Sequence, residues 1–309
     1  MGVGVSGSLR NDTYITMIII KVQGGLGNQL LQYSIGYVIA HEYGKEVAYD
    51  LSFFEQDTKY TKRLYLLDKF NLEVRVATKE EIENVRYPYG KISRFCNLFV
   101  RALNKYFLKK YYIAYDKNFF TRVKNNDRLY LEGFWQSYQY YKGSLKGLSQ
   151  VITLKDVSAL TRAQQMLSFK EKTTVSVHIR RGDFLNANAG TQVVPKEYYE
   201  HAVPLLEKNV TLPTYYIFSD DIEWVKETLG YLFKDTVYVS GPQGLHLTDW
   251  EEFALMKECT HAIISNSTFS WLATLLTNRN DKVVFYPNDW KNDYLNKSSD
   301  ICPPAWVGV

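Results

Sequence analysis

"TVSVHIRRGDF", residues 174–184, runs an apolar alternation straight into two arginines, a glycine and an aspartate. Alternation with period two marks a strand with two different faces. Arginine stays charged and is costly to bury without a partner, so two of them leaving a core strand imply an anion at its end. On that alternation His178 and Arg180 share a face, and Arg181 points away until Gly182 turns the chain. Outward from this strand, "PKEYYEHAVPLLEK" reads as a helix, "TYYIFS" as a strand, "DIEWVKETL" as a helix and "TVYVS" as a strand. "DWEEFALMKEC" and "FSWLATLL" read as helices, with "HAIIS" between them and "KVVFYP" after them as strands. Such alternation predicts an α/β fold with a parallel sheet covered by helices on both faces.

The first half opens the same way. "MIIIKVQ" is a short buried strand and "GGLGNQ" a glycine turn. Leu30, Leu31, Ile35, Val38 and Ile39 fall at helical spacing over 28–43, and "EVAYD" is a second strand ending at Asp50. "LYLEGF" supplies a further strand before a turn into an aromatic helix, and the polar stretch 143–172 carries the chain into its second half. We therefore expect two α/β domains, 17–155 and 156–309, with the binding site in the crevice between them at the carboxyl ends of the strands. Residues 1–16, "MGVGVSGSLRNDTYIT", are unpatterned and Gly/Ser-rich; we read them as an appended leader or a disordered extension, with Met17 as the natural start.

A chain of 309 residues with 46% hydrophobic and 23% charged residues is long enough for two ordinary domains. Its formal net charge of +4 gives no argument for nucleic acid. The three cysteines, Cys96, Cys259 and Cys302, are odd in number and far apart, which favours a reducing compartment over a disulfide framework. No apolar run approaches the roughly 20 residues that span a bilayer, so a cytoplasmic location is expected and the sequons at Asn11, Asn209, Asn266 and Asn296 are incidental. Residues 91–124 combine an apolar stripe with Lys91, Arg94, Arg101 and Lys105. A solvated cationic face over a core stripe explains them; peripheral contact with an anionic membrane surface is the sharper reading.

Several stretches carry candidate chemistry. "GGLGNQ" fails the G-x-G-x-x-G dinucleotide fingerprint because Leu30 stands at its third glycine, and no P-loop occurs. It is either a tight turn or a place where Gly25 and the Asn28 amide come close to a ligand. At the end of the strand, Arg180 offers a planar fork of donors to a phosphate, while Arg181 either helps or pairs with a carboxylate such as Asp183 to hold the loop. In "FSDD" one of Asp220 and Asp221 serves as a helix N-cap, or a carboxylate accepts the adjacent ring N–H and amino group of guanine. "SNSTFSW" puts Ser267 and Thr268 at a helix start, where hydroxyls and free N–H groups make an anion site; N-capping accounts for one hydroxyl only. His41, His201, His246 and His261 lack metal spacing, and neither D-x-D nor G-x-S-x-G occurs, so no metal and no serine hydrolase are expected.

"QGGLGNQLLQYSIGYVIA", "GFWQS", "HIRRGDF", "FSDDIEWV" and "SNSTFSWLATLL", in this order and at these spacings, resemble the bacterial α-1,2-fucosyltransferases of glycosyltransferase family 11. The likeness runs from Met17 to the C-terminus, with "NQLLQYS" where the family often has "NQMFQYA". It implies a GT-B-like fold of two Rossmann-type domains, with an acceptor-side domain first and a GDP-fucose-binding domain second. The implied reaction is inverting, metal-free transfer from GDP-β-L-fucose to the 2-hydroxyl of a terminal galactose on an oligosaccharide or lipid-linked glycan. Carried onto this sequence, Arg180 binds the β-phosphate and Arg181 assists it or orders the loop. Ser267 and Thr268 hold phosphate oxygens, Asp220 or Asp221 reads guanine, and Asn28 positions donor or acceptor. Asp183 and His178 are the candidates for the base. The rivals are a fucosyltransferase of other linkage, a nucleotide-dependent oxidoreductase, and a non-catalytic glycan- or lipid-binding α/β protein.

Overall fold

In the computed structural model the described residues are 17–55, 63–86, 116–182, 185, 192–277, 279, 281–290 and 301–309. Two all-parallel sheets organise them. The first holds β1 (Met17–Lys21), β2 (Val47–Asp50) and β3 (Arg128–Leu131) in the order β2-β1-β3. The second holds β4 (Thr173–Ile179), β5 (Pro213–Ser219), β6 (Asp235–Tyr238), β7 (His261–Ile263), β8 (Val284–Tyr286) and β9 (Val307–Gly308). Its order is β6-β5-β4-β7-β8-β9. That is the Rossmann order, and its direction reverses between β4 and β7, where such sheets open a crevice for ligands.

The helices are α1 (Leu26–Tyr43), α2 (Lys79–Arg86), α3 (Phe119–Asn125), α4 (Leu145–Val151) and α5 (Ser158–Met166) in the first part. In the second part they are α6 (Lys196–Glu207), α7 (Ile222–Leu229), α8 (Asp249–Glu258) and α9 (Thr268–Leu276). The eight strands read from the sequence are β1 to β8. The aromatic helix expected after "LEGF" is instead a single 3₁₀ turn, Tyr138–Tyr140. Trp135 sits there with φ 43°, a left-handed conformation that no helix continues, and the Tyr141 hydroxyl donates to its carbonyl at 3.0 Å. The polar stretch 143–172 is largely helical, because Leu148 and Leu160 reach the core from α4 and α5. Of residues 91–124, only 116–124 lie among the described residues.

Alternation sorts the strand side chains into layers. Ile19 and Met17 face α2 through Val85, while Ile18 and Ile20 face α1. Val175, Val177 and Ile179 of β4 pack under α6 and α7, and Tyr216 and Phe218 of β5 face the opposite way, toward α8 and α9. α1 and α9 are buried on nearly every side, as expected of helices whose neighbours are sheets or other helices. They pack on each other between the sheets, so one hydrophobic cluster runs unbroken from β1 to β7. Polar cross-links reinforce this: the Lys257 ammonium of α8 donates to Ser149 O and Ile152 O at the end of α4, at 2.7 and 2.9 Å. The buried thiols of Cys259 and Cys302 are free.

Candidate active site

The turn leading into α1 is built by two glutamines buried at full depth. Gln32 accepts from Gln23 N at 2.8 Å and donates to Gly133 O at 3.1 Å, joining the glycine turn to the end of β3. Gln29 donates to Gly24 O at 3.0 Å and Leu64 O at 2.8 Å and accepts from Leu66 N at 2.9 Å, which clips segment 63–66 across the helix start. The glycines divide the work. Gly24 adopts φ +85°, where L side chains are strained. Gly27 has no room for a side chain: a Cβ there would lie 2.6 Å from Phe269 N and 2.8 Å from Thr268 Oγ1. Gly25, the N-cap residue of α1, meets among the described residues only Arg63 Nη1, 4.0 Å from where a Cβ would be. A ligand's approach is thus open at Gly25, while Gly27 serves the meeting of two helices.

That meeting brings the N-termini of α1 and α9 together. Thr268 Oγ1 donates to Asn28 Oδ1 at 3.0 Å, one half of the chain to the other. Ser267 is the N-cap of α9, its hydroxyl accepting from Phe269 N at 3.4 Å. Each helix start carries roughly half a positive charge on unpaired N–H groups, so two starts in contact repel each other and both favour an anion placed beside them. Of the four small polar residues, Asn266 donates to Gln192 O at 2.8 Å, and Ser265 turns inward with Ser270 to the Nδ1 of His178, each at 2.9 Å.

His178 therefore has a different place from the one expected. It is 5% exposed, and its ring lies 5.7 Å from that of Phe269. Burial, together with the charge of Arg180 on the same face of the strand, holds it down to about 3. Such an imidazole stays neutral and does not accept a proton near neutral pH. Burial and these two hydroxyl contacts count against His178 as the candidate base; through Ser265 and Ser270 its ring ties the end of β7 to the first turn of α9. Asp183 lies outside the described residues.

Both arginines are met by the "FSDD" aspartates. Arg180 Nη1 stands 3.2 Å from Asp220 Oδ2, with 29% and 22% of the two side chains exposed. The other oxygen of Asp220 accepts from Arg181 N at 2.9 Å. Arg181 Nε donates to Asp221 Oδ2 at 3.0 Å, and its guanidinium stacks 4.3 Å from the Trp224 ring. Asp221 occupies the N-cap position of α7 but makes no side-chain cap bond there, because its carboxylate turns to Arg181. The expectation that one of these aspartates reads guanine meets a physical objection: in this arrangement they are counter-ions that hold the arginine loop. Arg181 is clamped by carboxylate and ring together, while Arg180 keeps an exposed edge beside the switch point.

Sequence reasoning did not single out Gln29, Gln32 or Arg63. The glutamines had a signal, since they interrupt an otherwise apolar helix face. Arg63 had none: it reaches Gly25 only because Gln29 pins the segment that follows it. No helix among the described residues is long and apolar enough to cross a membrane.

A Rossmann-ordered sheet whose switch point carries paired arginines, joined through α1 and α9 to a second parallel sheet, is the two-sheet α/β arrangement expected of a GT-B-like fold, and the family profile makes the chain a glycosyltransferase. The chain belongs to glycosyl transferase family 11, whose profile matches residues 17–309. It is 28% identical to an α-1,2-colitosyltransferase of Escherichia coli, over 96% of this chain and 99% of that protein. It is 27% identical to the O-antigen biosynthesis glycosyltransferase WbnK of Escherichia coli, over 93% and 99%. Human galactoside α-(1,2)-fucosyltransferase 1 shares 26% identity across 59% of this chain and 52% of its own length.

Proposed function

We propose that this chain transfers L-fucose from GDP-β-L-fucose to the 2-hydroxyl of a terminal galactose, inverting the anomeric carbon to an α-1,2 linkage. The observation that carries the reading is the convergence at the switch point of Arg180, the start of α9 and the start of α1. α-1,2 transfer stands in the names of two relatives, the colitosyl and the human fucosyl enzyme.

In this reading the diphosphate lies against the two helix starts. Arg180 turns its guanidinium onto the β-phosphate, Ser267 and Thr268 offer hydroxyls, and Asn28 lines the boundary between donor and acceptor. As the bond from the fucose anomeric carbon to the β-phosphate oxygen breaks, charge collects on GDP, and fixed cationic and N–H donors stabilise it without reorganising. The galactose hydroxyl attacks from the opposite face and loses its proton to a base for which Asp183 stands as the candidate. The reaction runs without a metal, the cations on the leaving group being the protein's own. The acceptor is a galactose-ended oligosaccharide or lipid-linked glycan.

The relation to a colitosyltransferase supports one second reading, GDP-colitose as donor. Colitose is L-fucose without its 3-hydroxyl, so both sugars meet the same diphosphate site. The test offers the purified protein GDP-fucose or GDP-colitose with lactose, with and without EDTA, following GDP release and the linkage of the product. We expect acceptor-dependent release insensitive to EDTA and a product substituted at galactose O2. No product from either donor, or a linkage elsewhere, overturns the proposal.

A further inference from the structure

The switch-point groups explain where a diphosphate goes and leave open how the base is read, since Asp220 and Asp221 are engaged with arginines. A different carboxylate lies on the same edge of the second sheet. Ser219, the last residue of β5, donates its N–H to Ser240 Oγ at 3.2 Å, and Ser240 Oγ donates to Glu252 Oε2 at 2.9 Å. Ser240 follows the end of β6, and Glu252 lies in the first turns of α8. Its neighbour Phe253 packs 5.5 Å from the Phe269 ring in the first turn of α9. Glu252 thus borders the crevice, two hydrogen bonds from the residue that precedes Asp220.

Its surroundings are unusual for a carboxylate. Among the described residues no cation pairs with Glu252, and Oε1 has no donor. Burial, with the charge of Asp249 on the same helix, pushes the carboxyl up to about 7 against the single favourable bond from Ser240. A half-buried acid with one oxygen held by Ser240 and the other open to solvent at the rim presents a fixed acceptor to the N–H or O–H groups of a ligand.

We infer that Glu252 is the residue that recognises the nucleobase, accepting the ring N–H and the adjacent amino group of guanine. The inference rests on the donor being a nucleoside-diphosphate sugar. The charges define a two-ended ligand: its anionic end lies on Arg180 and the helix starts, and its other end must donate hydrogen bonds to a carboxylate. Guanine offers two N–H donors side by side, in the geometry a carboxylate accepts. Adenine and cytosine set a ring acceptor beside their amino group, which opposes a carboxylate, and uracil has one ring N–H between two carbonyls. The edge therefore selects guanine by its own chemistry.

Isothermal titration of the full chain with GDP and with IDP, which lacks the 2-amino group, tests this. Wild type is expected to bind GDP at least about tenfold more tightly than IDP. Glu252→Gln keeps the shape and an acceptor for Ser240 but sets an N–H₂ or a neutral oxygen against the base. It is expected to weaken GDP by about 10–100-fold and to bring the two nucleotides within about threefold of each other. Ser240→Ala, which only loosens the carboxylate, shifts the ratio in the same direction by less. Unchanged GDP affinity in Glu252→Gln, or equal losses for GDP and IDP, overturns the assignment and places the carboxylate on the ribose or in a structural role. Failure of wild type to bind either nucleotide overturns the donor reading itself, a result visible before any variant is made.

Discussion

Gly27→Ala probes the meeting of α1 and α9 through a single methyl group. That carbon would lie 2.6 Å from Phe269 N, 2.8 Å from Thr268 Oγ1 and 2.9 Å from Phe269 Cα. Two of the three obstacles are backbone in the first turn of α9, which does not swing aside as a side chain does. Restoring contacts of about 3.5 Å requires the two helix starts to part by roughly 0.5–1 Å. Overpacking of this kind costs about 1–3 kcal/mol, and at about 2–4 °C per kcal/mol the midpoint of thermal unfolding falls by roughly 2–12 °C. The same retreat stretches the 3.0 Å bond from Thr268 to Asn28, and a misplacement of about 1 Å at a reacting site costs on the order of a hundredfold in rate. Calorimetry and transfer kinetics on the purified variant measure both effects. Gly25→Ala is the control for unfolding, because among the described residues its Cβ would meet nothing nearer than Arg63 Nη1 at 4.0 Å and its φ of −77° suits alanine. Equal unfolding temperatures for Gly27→Ala and wild type, or equal falls in unfolding temperature in the two variants, would refute the helix-contact account.

Arg180→Ala removes a contact of about 3–4 kcal/mol from the leaving diphosphate, so kcat/KM for the donor should fall a few hundredfold with the fold intact; near-normal turnover would dismiss Arg180 as the clamp. Arg181→Ala loses the Asp221 pair and the Trp224 stack, and urea unfolding should report about 1–2 kcal/mol of lost stability; a fall in kcat matching that of Arg180→Ala would instead put Arg181 on the substrate. Two buried groups set opposite pH trends. His178 is held at about 3 against 6.5 when unfolded, so its contribution to stability is lost as pH falls below 6.5, while Glu252, at about 7 against 4.5, gains stability as pH falls through the same range. Wild type should therefore lose less stability than Glu252→Gln between pH 7 and 5, the difference being about 2 kcal/mol; the same pH dependence in both would contradict the raised acid at Glu252.

The parallel sheets were legible because β strands buried on both faces read as short apolar runs and each is followed by its helix. Of the candidate site, the sequence already put Arg180, Ser267 and Thr268 at strand ends and a helix start, where the structure has them. What escaped was set by contacts distant in sequence. Asp220 and Asp221 looked like base readers or caps until Arg181, forty residues earlier on the next strand, was seen to draw one of them off the cap position. Glu252 is one of several acids in "DWEEF", and only the ends of β5 and β6 distinguish it from Glu251, whose carboxylate closes a capping box with Thr248. Gly27 read as part of a turn because the backbone it must clear belongs to α9, more than two hundred residues away.

The junction between the sheets determines how the charges can act. Units joined by a modest polar interface shift relative to one another by default. Here the contact is apolar and continuous: Tyr141 lies against Trp271 with ring centres 6.2 Å apart, and α1 packs along α9 within a single cluster. The two helix starts are thus fixed before any ligand arrives, and their mutual repulsion is held in place by that packing. Donors held against repulsion stabilise an incoming anion without first having to turn toward it, which is the condition for electrostatic stabilisation of a leaving group. Arg180 supplies the adjustable part, since its partner Asp220 is also fastened to the Arg181 backbone. In the proposed transfer Arg180 would give one edge of its guanidinium to a phosphate and leave Asp220 still hydrogen-bonded to Arg181 N, so that the loop keeps its shape while the arginine changes partners.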